Sequence, residues 1–175
     1  MTSLALIETQ KIALLDRLAA WPEPQLYFRP APAQWSALDV LDHLVRTESA
    51  ILQAARDGLL SPRKIGLTDR LRTAFLERIF RSRRRVKAPG HVTQIFPGPA
   101  LRFSEVRDRW DAVRLDLSQF LVSSPPQLLR RGIFYHPVGG WMNAESILGF
   151  FSVHMIHHTY QLDRLQAACA RPVTS

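Results

Sequence analysis

The feature that most constrains this chain lies near its C-terminus: Gly149-Phe150-Phe151-Ser152-Val153-His154-Met155-Ile156-His157-His158-Thr159-Tyr160-Gln161-Leu162. It reads as one helix. Residues four apart on a helix stand one above the other, so His154 and His158 point the same way, about 40° apart. Steps of three or four from His154 reach Phe151 and Ile147 upstream, then His158, Leu162 and Leu165 downstream. That is the apolar stripe of an amphipathic helix, and two imidazoles occupy core positions in it. His157 belongs to another face, with Phe150, Val153 and Tyr160, where it is expected to pack at a helix or subunit interface. Two neutral imidazoles at this spacing are half of a metal site.

The rest of the chain supplies partners for such a helix. Residues 3 to about 20 are loosely periodic, with Ser3 as a cap, and end before Trp21-Pro22-Glu23-Pro24 because a proline disfavours helical geometry in the residue before it. Residues 22–34, with four prolines, read as an ordered loop. Ser36 caps a second helix running to Gly58, a glycine stop. One of its faces carries Val40, His43, Thr47 and Ala54, flanked by the core face of Leu41, Leu44, Val45 and Leu52; Asp39 and Glu48 fall less clearly inward. After a loop at 59–68, residues 69–86 are weakly helical, and 88–100 form a long connection of the kind that crosses along a bundle. A third long helix opens at Ser104 and buries Val106, Trp110, Val113, Leu117 and Phe120. Residues 127–131 allow one short turn, 132–142 read as a loop, and the last helix runs from an Asn143 cap to Ala168 or Cys169. No strand pattern stands out. Four long helices predict an all-α fold, a four-helix bundle with a long crossover connection between helices 2 and 3.

At 175 residues, a single domain spanning 1–175 is expected. The lone Cys169 excludes an intrachain disulfide and suits a reducing compartment. The N-terminal segment lacks a basic region followed by an apolar run, so it does not read as a signal peptide. No uncharged apolar run reaches the ~18–20 residues of a membrane span. A cytoplasmic protein without membrane contact follows as the expectation. The net charge of +8 is partly local: Arg78, Arg81, Arg83, Arg84, Arg85 and Lys87 stand together with no acid among them from Arg78 onward. No nucleic-acid motif or aromatic interleaving accompanies the cluster, which favours a solvated helix end over nucleic-acid binding; an anionic substrate is a further use for it.

A metal site generally takes three protein ligands. His43, on the inner stripe of its own helix, is the best third partner for His154 and His158. The competing reading is that of core histidines satisfied by hydrogen bonds. Burying several imidazoles without partners would cost about 1–3 kcal/mol each, which weighs against it. Two sharper motifs are absent. The glutamate of H-E-x-x-H does not follow His154, and no Glu-x-x-His of a di-iron bundle occurs. There is no glycine-rich phosphate loop.

Three groups of residues in this order resemble the DinB-like (YfiT-like) metalloenzyme family. They are Trp35-Ser36 leading into Leu41-Asp42-His43-Leu44, then Tyr135-His136-Pro137-Val138-Gly139-Gly140, then His154, His157, His158, Gln161 and Leu162 on the last helix. The resemblance covers most of the chain. It implies a four-helix bundle, a single divalent metal ion (zinc or nickel) on His43, His154 and His158, and a homodimer. Enzymes that this family includes transfer or isomerise with a low-molecular-weight thiol such as mycothiol, bacillithiol or glutathione.

Three imidazoles leave a coordination position open, which is the catalytic pattern. The first expectation is therefore a metal-dependent enzyme acting on a small-molecule substrate, a thiol-dependent transferase or a hydrolase. The second is a non-catalytic, metal-binding or dimerising bundle protein. A DNA-associated basic protein comes third, on charge alone. Gln161, one turn beyond His158, could orient a ligand ring or be an ordinary boundary residue. His136 could line the pocket mouth or have no role, and His91 is expected to be a solvated loop residue.

Overall fold

The computed structural model describes residues 3–32, 34–83, 95–98 and 102–170. Within them the elements in chain order are α1 (Leu4–Ala19), α2 (Glu23–Tyr27), α3 (Ala37–Gly58), α4 (Leu67–Arg81), α5 (Phe103–Ser123), α6 (Pro126–Leu129), β1 (Phe134–His136), β2 (Gly140–Met142) and α7 (Ala144–Cys169). The fold is all-α apart from one small hairpin. Arg84, Arg85, Lys87 and His91, and the 88–100 connection apart from 95–98, lie outside the described residues.

Each long helix starts where a side chain can accept an otherwise unpaired backbone N–H. Ser3 accepts from Leu6 N at 3.2 Å, and Asn143 accepts from Ser146 N at 2.8 Å. Ser36 and Asp39 form a reciprocal capping box on α3. Helices α1, α3, α5 and α7 form the bundle: α3 packs on α5 and α7, and α1 packs on the same two from the other side. The core is a single apolar cluster whose fully buried members include Ile7, Leu18, Leu41, Leu44, Trp110, Phe151 and Leu162. Between α3 and α5 the chain crosses over, and α4 lies within this crossover, against α7 and β2. Among the described residues no helix is long and apolar enough to cross a membrane.

Three local expectations are corrected. Residues 22–34 are not all loop: Pro24 sits in the first turn of α2, where a missing N–H costs nothing. Residues 132–142 contain an antiparallel pair, with Phe134 opposite Met142 and His136 opposite Gly140. Helix α3 does run to Gly58, though without a left-handed residue there, since Gly140 is the described residue with positive φ, at 74°. Gly58 is needed because a Cβ there would run into the backbone carbonyl of Ile133. Lastly, Asp39 and Glu48 are both buried.

Glu48 shows why an acid can sit inside. It is 1% exposed and faces Arg114, which is 4% exposed. The guanidinium donates two bonds of 2.8 Å to the carboxylate, and Trp110 Nε1 donates a third of 2.9 Å. Burial pushes the Glu48 carboxyl above its ordinary value, against the pull of Arg114 and Trp110. Arg114 also reaches Met155 Sδ at 3.7 Å, so this pair braces α3 and α5 against α7.

Candidate metal centre

The inward stripes of α3 and α7 meet at three rings. His43, His154 and His158 are 3%, 5% and 5% exposed. His154 Nε2 lies 3.3 Å from His43 Nε2 and 3.0 Å from His158 Nε2. One ligand-type atom from each of the three residues lies within 4.8 Å of the others, and among the described residues this group contains no carboxylate or thiol.

The outer nitrogens decide what the inner ones can do. His43 Nδ1 lies 2.7 Å from the backbone carbonyl of Ile95, which can only accept, so Nδ1 carries the proton. His158 Nδ1 donates in the same way to Gln161 Oε1 at 2.9 Å. A neutral ring has one N–H, so His43 and His158 both turn bare Nε2 lone pairs toward His154. Protonation does not resolve the crowding. Burial lowers the affinity of all three rings for a second proton, and for His154 and His158 the neighbouring imidazoles lower it further. His154 Nδ1 is itself buried without a partner. His154 has one N–H to offer and can satisfy only one of these two lone pairs fully, so the cluster is poor as a hydrogen-bonded core, whereas three neutral imidazoles fit a cation. A tetrahedral ion with metal–nitrogen bonds of about 2.0–2.1 Å sets its ligands about 3.3–3.4 Å apart, close to the two spacings from His154.

Aromatic rings surround the cluster. Trp35 stands 4.9 Å from His43, centroid to centroid, and Phe150 stacks on His154 at 5.2 Å. Phe80 of α4 reaches Phe150, His154 and His157 at 5.6, 5.4 and 5.1 Å. Trp35 and Phe80 are both partly exposed, whereas the imidazoles behind them are not. Such walls lower the local dielectric and limit water.

The remaining singled-out residues separate. Gln161 meets His158 Nδ1 and fixes its tautomer. His157 is buried between α7 and Phe80 of α4, a helix interface, with its Nδ1 unpartnered. His136 is not free to serve a pocket mouth through Nδ1: that atom accepts from Val138 N at 3.1 Å and Gly139 N at 3.0 Å, locking the hairpin turn. Its ring sits 5.2 Å from Phe150, one aromatic layer behind His154. Burial, helped by Arg72, pushes the His136 imidazole down to about 4. In the basic cluster, Arg83 lies over the Tyr160 ring at 5.2 Å. Sequence reasoning missed Phe80, Phe150 and the Ile95 carbonyl. The first two looked like ordinary core residues, and a backbone carbonyl leaves no trace in a side-chain pattern.

Compared with known families, residues 6–162 match the model described as the DinB superfamily. No curated protein and no solved structure matches the chain.

Proposed function

The chain belongs to the DinB superfamily, and from that premise we propose that it is a metal-dependent enzyme holding one divalent ion, zinc or nickel, on His43, His154 and His158. The observation that carries this reading is the pair of Nε2 lone pairs that Ile95 O and Gln161 Oε1 force toward His154. When bound, the metal supplies Lewis acidity that draws the proton from a thiol or a water beside it.

The chain's own residues hold and orient. His43 and His158 keep fixed tautomers through their Nδ1 bonds, and Trp35, Phe80 and Phe150 exclude water from the rings. A thiol ionises more readily than water, and the resemblance to thiol-dependent enzymes supports a transferase over a hydrolase. The substrate on this reading is a small electrophile, with a low-molecular-weight thiol as cosubstrate.

Titrating the cobalt-loaded protein with a low-molecular-weight thiol tests the chemistry. The expected result is a sulfur-to-metal charge-transfer band that saturates with thiol. A loaded protein whose spectrum ignores thiols would sink the transferase reading and leave hydrolysis.

A further inference from the structure

We propose that Asp42 is a positioning residue for the metal centre, acting on His43 through the backbone of residues 95–98; this rests on the metal reading above. Asp42 and His43 are neighbours on α3 and so point about 100° apart. Both nevertheless grip the same short stretch of the crossover. His43 Nδ1 donates to Ile95 O at 2.7 Å. Three residues on, Gly98 N donates to Asp42 Oδ2 at 2.8 Å. The stretch is thus pinned at both ends, with Pro97 stiffening the chain between them.

Asp42 is itself held. It is 3% exposed, and its Oδ2 also accepts from Arg46 Nε at 2.7 Å while Oδ1 accepts from Arg109 Nη1 at 2.9 Å. Two arginines meet the carboxylate's charge, and Arg109 ties it to α5. The Gly98 bond adds nothing to that ion pairing. What it fixes is the place of the Ile95 carbonyl, and that carbonyl decides which nitrogen of His43 bears the proton. With the carbonyl loose, His43 can move its proton to Nε2, the atom that must be bare to bind a metal. A ligand imidazole oriented through its other nitrogen typically loses 10–100-fold in metal affinity when that orienting partner is removed.

Four variants separate positioning from plain stability. Asp42→Ala removes both the ion pairs and the Gly98 bond, Gly98→Pro removes the N–H and brings a Cβ onto the Arg46 guanidinium, and two controls, Arg46→Ala and Arg109→Ala, each drop one arginine but leave the Gly98 bond. Zinc affinity is measured by competition with a chelating dye, and the His43 tautomer by ring nitrogen-15 shifts in metal-free protein. Asp42→Ala and Gly98→Pro are expected to weaken zinc about 10–100-fold and to mix the His43 tautomers, while Arg46→Ala and Arg109→Ala stay within about twofold with Nδ1–H retained. Wild-type affinity and tautomer in both of the first two variants would overturn the proposal, as would an equal loss in Arg46→Ala or Arg109→Ala. If Asp42→Ala does not fold, Gly98→Pro read against Arg46→Ala decides. A wild-type protein that binds no zinc overturns the metal reading instead, and the metal-free tautomer comparison still decides the role of Asp42.

Discussion

Replacing Glu48 by Gln keeps the shape of the side chain and removes its charge. In the folded protein the two carboxylate oxygens accept three N–H bonds, two from Arg114 and one from Trp110. An amide offers one oxygen, so its NH2 must face a donor, and Arg114 is left as a buried cation at 4% exposure. Breaking one side of a buried ion pair costs about 3–5 kcal/mol. For a chain of this size each kcal/mol moves the midpoint by about 2–4 °C, so Glu48→Gln should lower Tm by about 6–20 °C. Urea denaturation near neutral pH, followed by circular dichroism, gives the free energy directly. Replacing both partners by methionine removes the charges together and should recover the loss to within about 1 kcal/mol of the wild type. A Glu48→Gln protein within about 1 kcal/mol of the wild type would contradict this, because it would mean that Glu48 carries no charge for Arg114 to lose.

Other outcomes follow from the same structure. The described histidines with lowered proton affinity are neutral when folded, while unfolded chains protonate near 6.5, so the unfolded state binds more protons as pH falls and metal-free stability must drop below that value. His136 alone, at about 4 when folded against an ordinary 6.5, should cost about 1.4 kcal/mol at pH 5.5, and the other rings add to it; denaturation at pH 7.5 and 5.5 checks the sign. Gly58→Ala gains about 1 kcal/mol of helix propensity, yet its Cβ meets the Ile133 carbonyl, so a net loss of about 1–3 kcal/mol is expected in thermal melts. Gln161→Ala removes the acceptor on His158 Nδ1 and should weaken zinc about 10-fold in dye competition without changing helix content.

Much of the fold could be read from residue order because helix signals are local. The caps Ser3, Ser36 and Asn143 and the 3.6-residue stripes place the long helices, and the same periodicity puts His43, His154 and His158 on inward faces. What was not legible depended on groups far apart in sequence. The strands at 134–136 and 140–142 are three residues each, too short for an alternating pattern, and their pairing shows only once the turn closes through His136 Nδ1. Glu48 looked ambiguous because its partner, Arg114, lies on another helix. Gly58 has the residue type of a helix stop, but its reason is the approach of Ile133. Tautomers were out of reach for the same cause: His43 takes its orientation from a backbone carbonyl fifty-two residues later.

The central claim is that three imidazoles form one metal site. Elemental analysis of purified protein, reloaded with zinc and freed of excess, tests it most directly when compared with His154→Ala. One metal ion per chain is expected in the wild type and none in the variant, with both helical by circular dichroism. Metal absent from both after reloading, or equal in both, would contradict it.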